Sequence, residues 1–574
     1  MSCLLGGRFV RAGLPAALVI LLGAPAGLAR AERPKVYAIT GARVIVSPGQ
    51  VIEAGTVVLR DGLIEAAGKE AKAPADAFVI DAAGKTVTAG FIDACTDIGQ
   101  RKPEGGAPGG SGGAGGGGSP GPAAPREAPA GPVHPLSRVR PERRAIDTLV
   151  TDASAFEKHR AMGFTSAVTM PGDGIFRGES ALINLAGGPP ASNIVMPAAG
   201  QVIGFEYGGF GQGYPSSLMG AMAAIRQTLL DARRREVWAA RHEASPAGLP
   251  RPDYLAAYAA LGPVLSGRTP AIFDIKESAN VARAISLSRE FSLASILVGS
   301  GAETVELGAI DAIKASGYPV VLPIAYPDKP KVDEPEEALN VSLQDLEKYD
   351  AAPENPARLS RAGIPFALGT CRLASAADFP ANLRKALERG LAADAALAAL
   401  TTAPARVFGI EKELGTIEAG KIANLVVFEG APAGGNGVFD EKAKAVLVFV
   451  DGVKYEIEHK KSKGDPNAKV DPRGTWSITF TIGGRAVNRT WTIKGKEGDY
   501  SGTAETQAGL VEFTSVKLAG NEMTVVMPAQ GGRPSQEITV VITGETLEGS
   551  GEFGGGMSYS VKGTRSSGPE GGSL

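Results

Sequence analysis

Histidine and cysteine are both scarce in this chain of 574 residues. There are four histidines and three cysteines: His134, His159, His242, His459, Cys3, Cys95 and Cys371. So few cysteines exclude the disulfide-dense class of small secreted domains. None of the histidines follows a predicted strand, so we predict that all four are exposed or helix-cap residues. The sequence therefore offers little material for a metal site built from several imidazoles.

Neither charge nor hydrophobicity is concentrated in one long stretch. The formal net charge is −2 with both signs interspersed, so we expect no nucleic-acid partner. The apolar run near the N-terminus is interrupted by Pro25 and Gly27, and it falls short of the ~18 residues of a membrane span. With 44% hydrophobic and 21% charged residues, the composition indicates a globular protein of several domains.

The first 31 residues have the pattern of a secretory signal peptide. Arg8 and Arg11 precede the apolar stretch LPAALVILLGAPAG, and ARA at residues 29–31 supplies the small residues of a cleavage site. We therefore predict cleavage after this motif, no transmembrane span in the mature chain, and a bacterial periplasmic or secreted location. Cys3 would leave with the signal, which places the other two cysteines in a compartment that permits disulfides.

Two distant segments have the pattern of short strands. Residues 32–88 and 406–457 both show apolar alternation at period two, separated by Gly and Asp-Gly turns. We predict that they form one composite β-sandwich. Between them, residues 89–405 alternate short apolar strands with amphipathic helices, which predicts a (β/α)8 barrel and places any chemistry at the carboxyl ends of its strands. A Gly/Pro-rich insertion at 103–132 interrupts this barrel.

The C-terminal part is a separate all-β module. A charged linker at 458–473 precedes successive strand patterns over 474–566. Trp476, Ile478 and Phe480 alternate with polar residues, which indicates one buried face. We predict an antiparallel meander that closes into a small barrel with a packed interior. The fold class is therefore α/β with a further all-β domain.

Three motifs resemble the amidohydrolase superfamily, in particular its imidazolonepropionase-like, urease-type branch of metal-dependent hydrolases. VVLRDGLIEAAG is similar to the family's sandwich hairpin, and GKTVTAGFIDACTDIG is similar to the first barrel strand. LTTAPARVFGIEKELGTIEAGKIANLVVF is similar to the return to the sandwich, although the family usually has Asp at Asn424. The resemblance covers residues 36–457 and implies a TIM barrel with the family's composite domain.

The resemblance also implies a metal site, whose usual ligands are substituted here. The family holds its metal with His-x-His on strand one, histidines on strands five and six, and an aspartate on strand eight. These positions match Cys95 and Asp97, then Asp274, then Gly299, and finally Cys371. The standard ligand set is therefore absent from the matching positions.

Three states of this substituted site remain open. In a closed barrel strands one and eight are neighbours, so the resemblance implies a Cys95–Cys371 disulfide in place of the metal. Alternatively, the two thiolates with Asp97 or Asp274 could bind zinc or another divalent metal. The third state is free thiols packed as small hydrophobes. In the first and third states Lys276, near Asp274, would neutralise the carboxylates in the place of a metal.

Other residues are candidates for a substrate pocket. VTMPGDGIFRGESALINLAG resembles a loop that lines the pocket in secreted relatives, and in it Arg177 and Glu179 could contact a carboxylate or an amide. Tyr207 lies on an aromatic, glycine-rich segment that is a candidate lid.

The family's activity is hydrolysis of non-peptide carbon–nitrogen bonds in cyclic amides or similar small molecules. Because the metal ligands are substituted, the sequence favours a pseudoenzyme or an altered enzyme with no metal cofactor. Such a chain could bind a small molecule, or it could be the partner subunit of amidohydrolase relatives in a homo- or hetero-oligomer. A zinc hydrolase with a Cys/Asp site is the remaining alternative.

Overall fold

The computed structural model describes twelve parts of the chain. They are residues 36–101, 133–208, 213–301, 303, 308–332, 335–457, 468–482, 485–496, 498–506, 509–528, 535–553 and 557–567. The predicted signal peptide, the Gly/Pro-rich insertion and His459 lie outside these residues.

The first described segment forms five strands of a sandwich sheet. They are β1 (Val36–Ser47), β2 (Gln50–Arg60), β3 (Leu63–Gly68), β4 (Phe78–Asp81) and β5 (Thr86–Ala89). Short polar turns join β1, β2 and β3 into antiparallel hairpins, whereas β4 and β5 both pair in parallel with β1. The apolar alternation of these strands supplies one buried face of the sheet.

Eight strands then form the barrel. They are β6 (Phe91–Thr96), β7 (Phe164–Thr169), β8 (Phe176–Asn184), β9 (Ile194–Gly204), β10 (Ala271–Asp274), β11 (Ser295–Val298), β12 (Val320–Pro323) and β13 (Phe366–Gly369). They follow one another around the sheet in chain order. The backbone N–H of Cys371 donates to the carbonyl of Cys95 at 2.8 Å, which joins the last strand to the first. The predicted barrel is confirmed.

One barrel strand departs from the all-parallel pattern. Strand β8 runs antiparallel to both β7 and β9, and no α-helix separates these three strands. The segment Phe176–Asn184 is therefore a strand of the barrel, and the prediction that it is a loop was wrong. Its residues are almost all buried because it has a neighbouring strand on each side and layers of side chains on both faces.

The helices belong to the barrel. The described residues include α1 (Ala153–Ala161), α2 (Leu218–Ala244), α3 (Ala256–Leu265), α4 (Asn280–Phe291), α5 (Ala309–Ser316), α6 (Pro335–Ala338), α7 (Leu343–Ala351), α8 (Asn355–Ala362), α9 (Phe379–Glu388), α10 (Ala393–Leu400) and α11 (Thr402–Val407). Side-chain caps fix several starts: Asp152 accepts the N–H of Ala155 before α1, and Ser342 accepts that of Asp345 before α7. None of the helices in the described ranges combines the length and hydropathy that a membrane-spanning helix requires.

The chain then returns to the sandwich sheet. Strands β14 (Leu425–Glu429), β15 (Lys444–Val450) and β16 (Val453–Glu456) complete that sheet in the order β16-β15-β14-β5-β1-β2-β3. Asn424 connects it to the barrel: its amide donates to Ser166 at 2.9 Å and to Asn184 at 2.8 Å, and its oxygen accepts the N–H of Asp451. Asn424, where the family usually has Asp, thus links the sandwich sheet to the barrel through buried hydrogen bonds.

The C-terminal module is a closed β-barrel of antiparallel strands. Its strands are β17 (Gly474–Ile482), β18 (Arg485–Lys496), β19 (Asp499–Thr506), β20 (Gly509–Glu512), β21 (Ser515–Ala519), β22 (Glu522–Met527), β23 (Gln536–Thr543), β24 (Thr546–Phe553) and β25 (Met557–Ser567). The β18–β19 pairing closes a ring of eight strands, and β20 pairs with β19 outside the ring. Trp476, Ile478 and Trp491 are fully buried in its core, as the alternation predicts for the first two.

Candidate functional site

A disulfide lies at the carboxyl ends of the first and last barrel strands. Cys95 and Cys371 are joined, with their Cα atoms 5.3 Å apart, as the resemblance implied. The two strands approach closely here because position 369 is glycine: a Cβ on Gly369 would lie 2.8 Å from the backbone nitrogen of Cys95. Met170 also packs against the bridge, with its sulfur 3.8 Å from that of Cys95.

A buried carboxylate lies beside the disulfide. Asp93 is fully buried in β6, and Thr370 binds both of its oxygens: the backbone N–H donates to Oδ1 at 2.9 Å and the hydroxyl to Oδ2 at 2.6 Å. His159 Nε2 lies 3.6 Å from Oδ2. The network was not predicted, and its one sign in the sequence is that Asp93 interrupts the apolar start of β6.

Two histidines are buried, contrary to the prediction. His159 is buried, and its Nδ1 lies 3.1 Å from the carbonyl of Ala155, because α1 packs its inner face on the barrel. His134 is also buried, and its Nδ1 accepts the N–H of Leu136 within a local turn. His159 therefore lies next to the buried Asp93, whereas the hydrogen bond of His134 is local to its own turn.

Two arginines hold Asp274 at the end of β10. Arg177 Nη2 on β8 lies 2.7 Å from Oδ2 of Asp274, and Arg372 Nη2 donates to Oδ1. Arg372 also donates from Nη1 to the carbonyl of Gly299 at the end of β11. Its backbone has a φ of 67°, a left-handed conformation in the turn that follows β13. Arg372 thus spans from the last strand to the ends of β10 and β11.

Lys276 neutralises a different carboxylate from the predicted ones. Its Nζ lies 2.5 Å from Oε1 of Glu206, an oxygen that Arg177 Nη2 also contacts at 3.0 Å. Asp97 is exposed instead of lying within the cleft. The expected pairing of Lys276 with Asp97 and Asp274 was therefore wrong. Lys276 pairs with Glu206, the two arginines pair with Asp274, and Asp97 is exposed to solvent.

Asp274, Glu206, Arg177, Arg372 and Lys276 together form a charge cluster. Its cations make both of its carboxylic acids stronger acids. Burial by itself would raise the pKa of Asp274, but the Arg177 and Arg372 guanidiniums outweigh it and hold that pKa below its usual range. Burial likewise opposes ionisation of Glu206, and Arg177 with Lys276 lowers its pKa below the usual range. Both side chains are therefore stable anions that accept protons poorly.

Gly299, which matches the strand-six ligand position of the family, has no side chain. Gly299 follows β11, and a Cβ there would lie 2.7 Å from Oε1 of Glu303. Glu303 is fully buried, and it accepts hydrogen bonds from the hydroxyl of Ser300 at 2.8 Å and from the amide of Asn355 at 2.6 Å. This carboxylate therefore joins the turn after β11 to the start of helix α8.

The predicted pocket residues Arg177 and Glu179, both on β8, lie in different surroundings. Arg177 belongs to the charge cluster, whereas Glu179 lies beside Arg144 and Asp147, where burial raises its pKa. Tyr207 is 51% exposed and lines a cleft of about 370 Å³ at the barrel mouth. Asp274 and Lys276 line the same cleft. Of the predicted pocket candidates, Tyr207 thus lines the cleft, and Arg177 contacts Asp274, which lines it.

These residues do not fit the metal that the resemblance implies. Both cysteine sulfurs are consumed by the disulfide, and each oxygen of Asp274 accepts a hydrogen bond from an arginine. Gly299 contributes no side-chain ligand, and its carbonyl accepts a hydrogen bond from Arg372. Throughout the described ranges, no three His, Cys, Asp or Glu side chains are grouped so that they could hold a metal ion. Fixed guanidinium charges beside Asp274 would also repel a cation.

Residues 350–459 match the family model described as Amidohydrolase family. They include helices α8–α11, the last barrel strand and the returning sandwich strands. An amidohydrolase from Thermotoga maritima MSB8 has a similar structure, with a TM-score of 0.58 and 22% sequence identity, and the match covers 74% of this chain and 100% of that one. The amidohydrolase resemblance is confirmed.

Other solved structures are similar to a lower degree. A prolidase complexed with N-methylphosphonate-L-proline has 16% identity and a TM-score of 0.43, covering 74% of this chain and 100% of its own. A Xaa-Pro dipeptidase with bound methionine in the active site has 16% identity and a TM-score of 0.43, covering 73% and 100%. No curated protein is significantly similar to the chain. Likeness at this level concerns the fold, not the reaction.

Proposed function

We propose that this amidohydrolase-fold protein is a metal-free, non-catalytic protein that binds a small molecule in the cleft at its barrel mouth. The observation that carries the proposal is the disulfide: Cys95 and Cys371 match the strand-one and strand-eight ligand positions, and both sulfurs are bonded to each other. A disulfide sulfur is not the thiolate that a metal requires. The protein thus keeps the scaffold without the ligands of the family's cofactor.

The remaining polar groups are poorly suited to activating a water molecule. A metal hydrolase lowers the pKa of its bound water and uses a nearby base to accept the proton. Here the cleft carboxylates Asp274 and Glu206 have lowered pKa values and are paired with cations. A general base works best when its pKa is near the operating pH, so these anions are weak bases.

The cleft is suited to binding. Its volume of about 370 Å³ is within the range of small-molecule sites. Phe205 and Leu218 form an apolar part of its wall. The side chains of Tyr207 and Lys276 also line it, and each is about half exposed to solvent. A small molecule with an apolar body and polar substituents can therefore contact all four side chains.

We also propose that the chain works outside the cytoplasm. The N-terminal signal pattern supports this location, and so does the disulfide, because such bonds persist in oxidising compartments and are rare in reducing ones. Bacterial export to the periplasm agrees with both features.

Hydrolysis and binding assays on the full mature chain test the proposed function. We expect no release of product from dipeptides or cyclic amides, with or without added Zn²⁺ or Mn²⁺, in either the wild type or Cys371→Ala. We expect members of the same panel to raise the melting temperature of the wild type, and Tyr207→Ala to remove that rise. Tyr214→Ala is a matched control, because Tyr214 is similarly exposed (56%) but does not line the cleft.

Two results would overturn this function. Hydrolysis that depends on added metal and is lost in Cys371→Ala would show that the thiols form a working metal site. Rises in melting temperature that persist unchanged in Tyr207→Ala would place binding outside the cleft.

A further inference from the structure

A second cavity lies at the opposite end of the barrel strands from the disulfide. Phe91 begins β6, whereas Cys95 is near its end, and the crevice around Phe91 lies between helices α1 and α9 and the sandwich strands β14 and β15. Its volume is about 220 Å³. A cavity of roughly 150 Å³ already holds one benzene ring, so this crevice has room for a ring and a short substituent.

The wall of the crevice is aromatic. Phe91 lies next to Phe428 and Phe439, with ring centroids 5.8 and 5.9 Å apart and planes inclined by only 30° and 32°. Phe379 and Leu383 of α9 line the crevice as well. These side chains are nearly fully buried and belong to the main hydrophobic core, so the wall is fixed before any ligand arrives. Aromatic rings arranged in this way favour another planar, apolar group.

The rim of the crevice carries positive charge. Arg384 is half-buried on α9 and Lys444 is exposed at the start of β15. Neither side chain has a hydrogen-bond or ion-pair partner among the described residues. The acidic rim residue Asp440 already accepts the N–H of Lys442 and forms no ion pair with either cation. A guanidinium beside an apolar crevice is a geometry that binds carboxylates.

We propose that this crevice is a binding site for a small aromatic carboxylate. The ring would pack on the wall formed by Phe91, Phe428 and Phe439, and the carboxylate would accept hydrogen bonds from Arg384, with Lys444 adding positive charge at the rim. The site is independent of the proposed function at the barrel mouth, because it shares no lining residue with the mouth cleft.

Calorimetric titration of the full mature chain with 3-phenylpropionate tests this site. We expect saturable binding with one ligand per chain. Arg384→Gln should weaken the affinity about tenfold, because a charge-assisted hydrogen bond is lost. Lys385→Gln is the matched control: it removes a neighbouring charge from the same helix, but Lys385 is exposed and does not line the crevice, so its affinity should equal that of the wild type. The neutral 3-phenylpropan-1-ol should bind the wild type more weakly than the acid does. The affinity of this alcohol should be the same for the wild type and for Arg384→Gln.

A filling variant distinguishes the crevice from other sites. Ala443 lines it, so Ala443→Trp should abolish binding while the far-ultraviolet circular dichroism stays that of the wild type. No heat of binding at about 10 mM ligand would overturn the proposal, since even weak ligands of this size bind at that concentration. Equal affinities in the wild type, Arg384→Gln and Ala443→Trp would also overturn it. Neither result bears on the cleft at the barrel mouth.

Discussion

Asp274 is the residue whose partners differ most from those expected of a metal ligand. It is the counter-ion of Arg177 and Arg372, which approach it from β8 and from the turn after β13. Its side chain is only 11% exposed, so neither the carboxylate nor the nearby guanidiniums are well solvated. Removing the charge of Asp274 leaves Arg372 with no carboxylate partner among the described residues and leaves Arg177 with Glu206 alone. A poorly solvated guanidinium without a carboxylate costs more than the pair contributes.

Asp274→Asn should therefore lower the free energy of unfolding of the barrel by about 3 kcal/mol. Asp350→Asn is a matched control, because Asp350 pairs with Arg389 on the surface at 74% exposure. Exposed pairs contribute little, so this second change should cost less than about 1 kcal/mol. Urea denaturation followed by far-ultraviolet circular dichroism measures the free energy of unfolding of both variants. Equal losses in the two variants would contradict the role assigned to Asp274.

The same variant tests the pH dependence of the cluster. The pKa values of Asp274 and Glu206 are lower in the folded chain than their usual values of 3.8 and 4.5. The unfolded chain therefore binds protons first, so this contribution to stability is present above about pH 4.5 and is lost as the pH falls through the folded pKa values. The stability difference between wild type and Asp274→Asn should shrink as the pH falls below about 3.8, the usual pKa of Asp274, because both proteins keep Glu206. A difference that stays constant down to pH 3 would contradict it.

At the scale of single residues, the sequence predicted positions better than partners. Cys95, Asp274 and Cys371 lie at strand ends as their neighbours in sequence implied, since a buried strand ends where polar residues begin. Arg372 was not predicted, although it directly follows Cys371, because its reach across the barrel depends on a left-handed turn and on three strands meeting in space. Long-range pairing of this kind leaves no periodic pattern.

The seam between β6 and β13 is the element that the disulfide secures. The backbone bond from Cys371 to Cys95 and the contacts of Thr370 with Asp93 hold the same two strands together. All of them require close approach at Gly369, where a Cβ would also lie 2.9 Å from the Cβ of Cys95. A side chain at this position would have to displace backbone, which has little freedom to move.

Gly369→Ala should therefore lower the free energy of unfolding by about 2 kcal/mol. It should also leave a larger fraction of Cys95 and Cys371 reactive to a thiol reagent in denaturant, because the strands cannot reach bonding distance as readily. Gly434→Ala is the control: nothing lies within 4 Å of its Cβ position, and no positive φ is involved. Unchanged thiol content and stability in Gly369→Ala would show that the seam tolerates separation.

At the scale of elements, strand β8 shows where sequence patterns are insufficient. The segment from Phe176 to Asn184 contains Arg, Gly, Glu and Asn, so its composition favours a loop, yet it lies between two strands of the barrel. Tertiary context decides, because a bulged antiparallel strand with Gly178 at a φ of 121° can place Arg177 and Glu179 in different surroundings. No local propensity carries that information.

For the whole molecule, the order of motifs was more informative than any single one. A sandwich hairpin, a barrel entrance and a sandwich return in that order predicted two sheets that the structure contains, and strong alternation predicted the C-terminal barrel. The chemical state of the barrel mouth could not be predicted in the same way, because two cysteines at matching positions are compatible with either a disulfide or a metal. The distinction depends on a distance between residues 276 positions apart.

The metal content of the mature protein tests the central claim most directly. The protein should be exported to a bacterial periplasm, purified without chelators and measured by elemental mass spectrometry beside Cys371→Ala. We predict far less than one zinc or manganese per chain in both proteins, because the cysteine sulfurs are bonded to each other and Asp274 is held by two arginines. About one metal per chain in the wild type, and its loss in Cys371→Ala, would contradict the proposed metal-free function.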